Sequence, residues 1–100
     1  MNLKIQAALL KLDEQFLTDL ETYASLMFSK QEIAVILEVD PSELIRVLNE
    51  ENTAAIAFQR GRLKKEAEIR KGIFDLAQNG SSPAQTFAMK LIENAKANDL

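Results

Sequence analysis

One hundred residues, 47% apolar and 27% charged with a net charge of −3, suffice for one small globular unit and not for two. The chain has neither cysteine nor histidine, which removes disulfides, thiolate nucleophiles, imidazole acid–base catalysis and nearly all zinc sites, so no enzyme, metal or cofactor is expected. Its apolar runs are broken by Lys, Asp or Glu well short of the roughly 20 residues a membrane helix needs, and Met1 to Leu12 lacks a small-residue cleavage signature, so a cytoplasmic chain with no membrane partner is expected.

The leading segment carries Ile5, Leu9, Leu12, Phe16, Leu20, Tyr23 and Met27 at steps of three or four, with Leu10, Leu17 and Ala24 widening the stripe. One long helix, or two meeting near Asp13, satisfies this pattern; Asp13 can cap a fresh start and Leu12 can staple its entry. The outer face is acidic, which favours a core-packing helix over one lying on a membrane surface.

Next come two short amphipathic signatures within SKQEIAVILEVDPSELIRVL, Ser29 to Leu48, each opened by its own capping box. Ser29 with Glu32 begins the first, so helix starts at Lys30 and turns Ile33, Ala34, Ile36 and Leu37 inward, leaving Val35 nearer the outside. Asp40, Pro41 and Glu43 begin the second, whose inner face is Leu44, Val47 and Leu48. Only Glu38, Val39 and Asp40 lie between. So short a link forces the two helices to cross steeply and share one small core, the outline of a helix-turn-helix, with small Ala34 at the closest approach.

After this motif Asn52 or Thr53 caps a long helix reaching about Asn79, Gly80 ends it, and Ser82 with Gln85 opens a last helix. The long helix carries one apolar stripe of Ile56, Leu63, Ala67, Phe74 and Ala77 and a second of Ile69, Ile73 and Leu76, and two stripes imply two neighbours. The last helix offers Phe87, Ala88, Leu91, Ile92 and Ala95, and its short link predicts an antiparallel hairpin covering one stripe. The other is left for the first three helices or for another copy of the chain. Gly61 and Gly72, eleven residues apart on one helical face, read either as a strip admitting a second helix closely or as two tolerated glycines. The fold expected is all-α, an N-terminal helix plus helix-turn-helix three-helix unit over 1–51 followed by a long-helix antiparallel hairpin over 52–100, with no strand-like alternation anywhere.

Charge is segregated. Ser29 to Gln59 has two positive against six negative residues, net −4, while Arg60 to Lys71, RGRLKKEAEIRK, has six against two, net +4. If the motif reads DNA, Arg46 suits a guanine edge and Asn49 an adenine, with Ser42 at phosphate or base. Lys30 and Gln31 lie at the start of the first motif helix, and Arg60, Arg62, Lys64 and Lys65 supply backbone charge from the neighbouring helix. A solvated helix face, with Glu66 and Arg70 as an ordinary intrahelical pair, is the plainer account of that basic run. Glu43, Glu50 and Glu51 beside Arg46 oppose approach to phosphates, so one copy alone should bind weakly and several copies on one assembly more tightly.

SKQEIAVILEVDPSEL resembles the DNA-binding motif of bacterial and phage helix-turn-helix proteins, with Glu38 where that pattern usually has Gly. With the following AFQRGRLKKEAEIRKGIFDLAQNGSSPAQTFAMKLI, the stretch from Tyr23 to Lys96 resembles the small subunit of phage terminases. That resemblance implies a non-catalytic homo-oligomer in the bacterial host that recognises viral double-stranded DNA for packaging and hands it to the ATPase and nuclease of the terminase large subunit. It places DNA contact on Ser29 to Glu50 and assembly on Thr53 to Lys96. Two other readings stay open: a small dimeric regulator spanning successive major grooves, and a module of the same shape that touches only protein.

Overall fold

The computed structural model of the chain describes residues 13–99, and the expectations placed on Ile5, Leu9, Leu10 and Leu12 lie outside them. These residues form five helices and no strand: α1 Glu14–Ser25, α2 Lys30–Ile36, α3 Pro41–Leu48, α4 Thr53–Gln78 and α5 Ser82–Asn98. The all-α expectation holds.

Each start is written locally. The Asp13 carboxylate accepts from the Phe16 N–H at 3.1 Å, and Ser29 and Glu32 exchange both bonds of a capping box at 3.1 and 2.9 Å. Asp40 accepts from the Ser42 and Glu43 N–H groups, and Asn52 from the Ala55 N–H at 2.8 Å. Each cap contributes about 1 kcal/mol by pairing a donor that the helix cannot pair itself. Bonds from the Ser42 hydroxyl first, then from the two N–H groups, hold the Asp40 carboxyl below its ordinary range. The last helix departs from expectation by one residue: Ser81, not Ser82, is its cap, accepting from the Ala84 N–H, while Gln85 reaches back to the Ala77 carbonyl at 3.1 Å.

Three helix ends share one device. In α1, α2 and α4 the residue after the C-cap has positive φ: Met27 at 67°, Glu38 at 59° and Gly80 at 99°. Each time the next N–H reaches back five residues, Phe28 to Tyr23 at 3.4 Å, Val39 to Ala34 at 2.9 Å and Ser81 to Leu76 at 3.0 Å. This is the Schellman closure, and in the first two cases an apolar residue after the left-handed one packs back on the last turn. Phe28 does so edge-on against Tyr23, ring centroids 6.1 Å apart, and Val39 is buried. Only Gly80 takes the left-handed region without strain; Met27 and Glu38 hold it because the residues that follow them are anchored.

The chain divides into two compact units, Met1–Lys65 and Glu66–Leu100, with the boundary inside α4. In the first, Leu20, Ile33 and Leu44 are fully buried at the centre of a cluster completed by Ala24, Ala34, Val39, Leu48, Ala54 and Ala57. Burying each of the three large side chains stabilises by about 1.5–3 kcal/mol. Four expected inward positions point out instead: Ile36 is 40% exposed, Met27 47%, Ile56 53% and Leu63 61%. The side of α4 that packs here is small, made of Ala54, Ala57 and Gly61, because α1 passes so close that a Cβ on Gly61 would run into the Glu21 carbonyl oxygen and the Ala24 side chain. Gly61 therefore serves a close helix approach within the chain. Gly72 faces open space.

In the second unit the buried hydrophobic residues are Ala84 and Ala88, with Ile73, Phe74, Ala77 and Leu91 half-buried. Phe87, expected inside, is 58% exposed, and Ala67, Ile92 and Ala95, expected inside too, are exposed as well. Ala84, one turn before Ala88, takes an inner place not anticipated from sequence.

Candidate nucleic-acid interface

Helices α2 and α3 meet through the turn Leu37 to Asp40, whose geometry rests on Glu38 in the left-handed region and Val39 tucked into the core. Lys30 and Gln31 occupy the first turn of α2, and Ser42, Arg46 and Asn49 run from the first turn of α3 to its C-cap. Gln31 and Asn49 are exposed. The Ser42 hydroxyl is committed to the cap, donating to Asp40 at 2.7 Å.

Arg46 is bridged along its own helix. Nη2 lies 2.9 Å from a Glu43 carboxylate oxygen and Nη1 3.4 Å from Glu50. Glu43 first, by hydrogen bond and charge, raises the guanidinium pKa further above its already high value. A base or phosphate must draw Arg46 away from these two acids, although the pairs are exposed enough for solvent and salt to screen them strongly.

Three basic residues of α4, Arg60, Arg62 and Lys64, are also engaged. Arg60 and Lys64, one turn apart, both reach Glu21 of α1, each at 3.1 Å, and the Lys64 bond foremost, then Arg60, pulls the Glu21 carboxyl below its usual range. Arg62 donates from Nη2 to the Phe28 carbonyl at 2.7 Å and lies 4.7 Å over the Phe58 ring centroid, with its buried Nε unpaired. Lys30 approaches the same ring at 5.6 Å. Arg62 thus ties α4 to the end of α1, a packing role beside any electrostatic one. Lys65 is half-buried. Glu66 and Arg70, expected to pair, form no ion pair with each other.

Two organising residues were not anticipated. Phe58 carries a readable signal, since it precedes Arg62 by four positions on a helix, the spacing that stacks side chains on one face. Glu21 carries none, because its cations stand 39 and 43 positions away.

Among the described residues no helix is long and apolar enough to cross a membrane. Compared with known proteins, the chain matches no family model, no curated protein sequence and no solved structure.

Proposed function

We propose that this chain is a non-catalytic, multicopy double-stranded DNA-binding protein of a phage or prophage, acting like a terminase small subunit in the bacterial cytoplasm to mark viral DNA for packaging. The observation that carries the reading is the α2–α3 pair with its left-handed turn: Glu38, at the position where the DNA-binding helix-turn-helix pattern usually has Gly, adopts the backbone that pattern requires. On this reading α3 enters the major groove with Arg46 and Asn49 toward base edges. Lys30, Gln31 and Ser42 lie near the backbone, and Arg60, Arg62, Lys64 and Lys65 supply charge beside them. The large subunit supplies the chemistry this chain lacks.

The test is DNA affinity by fluorescence anisotropy across salt. Binding that weakens as salt rises, falls with Arg46→Ala and rises with Glu43→Gln, which releases Arg46 and removes an opposing charge, supports the reading. Indifference to DNA at low salt sinks it.

One observation favours a second reading. Arg46, the cation central to base reading, is held by Glu43 and Glu50, so that α3 presents a neutralised, acid-rich face suited to a protein partner. On that reading Glu43→Gln leaves DNA affinity at zero.

A further inference from the structure

The first unit leaves an open groove of about 750 Å³ where the end of α3 and the loop after it meet the start of α4. Leu48, Ile56 and Phe58 give it apolar surface, and Ile56 is 53% exposed there. Its charge is negative. Glu50 and Glu51 line it, both exposed, and so does Asn49, the C-cap of α3, which brings the negative end of that helix dipole to the groove. The lining cation, Lys30, lies 5.6 Å from the centroid of the Phe58 ring, and Glu51 forms no ion pair among the described residues. The occupant that complements such a groove is apolar with a cation beside its apolar face.

A segment of that chemistry is tethered nearby. Met1 to Leu12, MNLKIQAALLKL, holds eight apolar residues, two lysines and no acid. At helical spacing Ile5, Leu9 and Leu12 share one stripe, and Lys4 and Lys11, two turns apart, fall together beside it. The segment joins the first unit at Asp13, which caps α1 with a non-helical ψ of 117°, so the chain turns off the α1 axis at that residue. Helices α1 and α4 run the same way: Leu17 and Thr18 share a small cleft with Thr53, and further along Glu21 and Ala24 lie against Gly61. Both helices therefore start at one end of the unit, where Thr53 lines the cleft beside Leu17 and the groove as well. Crossing the end of α4 takes about one helix diameter, roughly 10–12 Å, whereas twelve residues reach about 18 Å as helix and about 40 Å extended.

We propose that Met1 to Leu12 docks in this groove of its own chain, with Ile5 and Leu9 against Ile56 and Phe58, and Lys4 and Lys11 toward Glu50 and Glu51. Charge gives the first reason, a segment of net +2 against the groove's two carboxylates. The tether gives the second. It holds the segment at an effective concentration on the order of millimolar, which an outside peptide or a second copy must reach by its own abundance. The docked segment covers Ile56 and braces the corner between α3 and α4. This goes beyond the function proposed above and rests neither on DNA contact nor on assembly.

The experiment uses the full chain, whose lack of cysteine lets a nitroxide be attached at one place through the Gln6→Cys variant. In isotope-labelled chain diluted into excess unlabelled wild type, the nitroxide broadens only the amide resonances that its own segment approaches. Those of Glu50, Asn52, Ile56 and Gln59 should lose most of their intensity relative to the reduced label, while Leu76, about 30 Å further along α4 than Ile56, keeps its own. K4E/K11E should restore the groove resonances with the rest of the spectrum unchanged, and adding E50K/E51K to the same chain should broaden them again. Should that reversal unfold the chain, Lys4→Gln and Glu51→Gln should each reduce the broadening roughly twofold. Broadening confined to Glu14 to Leu17 and Thr53, around the tether, overturns the inference. So does groove broadening that K4E/K11E leaves intact. Broadening seen only when nitroxide-bearing chain is mixed with isotope-labelled chain lacking the nitroxide overturns it too, and would make a second copy the occupant.

Discussion

The two units contrast in what they bury. The first closes Leu20, Ile33 and Leu44 completely, whereas the second leaves Ile69, Leu76, Phe87 and Met89 more than half exposed and buries alanines. Four helical segments arranged around one cluster can enclose large side chains; a shorter helical unit has too little surface to do so. The first unit therefore specifies its own structure. The second presents a surface whose energetics depend on what covers it.

That contrast can be broken in graded ways. The largest effect is expected in the first core: Leu44→Ala opens a cavity at a fully buried site and should lower unfolding free energy by about 3 kcal/mol, measured by denaturant titration. The equivalent cut in the second unit, Phe87→Ala at low protein concentration, should cost under about 1 kcal/mol because the ring is mostly in water already. A cost near that of Leu44→Ala would mean that the second unit is as well packed as the first.

The glycines sharpen the same contrast with one substitution of opposite sign. Gly61→Ala forces a methyl against the Glu21 carbonyl and should destabilise by about 2 kcal/mol. Gly72→Ala meets nothing and should stabilise the monomer by up to about 1 kcal/mol through helix propensity alone. Thermal melts of the pair, run side by side, give the comparison directly. Smaller still, Glu38→Gly relieves a left-handed non-glycine residue and should stabilise the first unit by about 1 kcal/mol or less, the gain in backbone strain being partly offset by unfolded-state entropy.

The smallest expected effect is on pH dependence. Glu21 has a folded pKa lowered by Lys64 and Arg60, so its contribution is present above the ordinary carboxylate range and disappears as pH falls through the lowered value. Glu21→Gln should lower stability slightly at neutral pH and flatten that acid limb of the melting curve by the same small amount, leaving stability below the lowered value unchanged, since both pairs are solvent-exposed. An unchanged acid limb would mean that the Arg60 and Lys64 contacts add nothing.

Helix identities and most starts were legible because they are local: Ser29 and Asp40 announce theirs within three residues, Asp13 and Asn52 were each one of two candidates, the cap of the last helix fell one residue before its expected place, and Gly80 announces a stop. Positions within the short helices were legible too, since Ile33, Ala34, Leu44 and Leu48 follow a period that leaves one face to bury. Tertiary structure alone decided the rest. Which stripe of α4 is buried depended on how closely α1 approaches, a distance set by Gly61 and the alanines and not by the larger side chains that dominate a hydrophobic pattern. Which of the basic residues are already paired depended on Glu21, far away in sequence. Periodicity reports that a helix has an apolar side; only the packing partner, through its distance and charge, selects which side is used and which cations remain for another molecule.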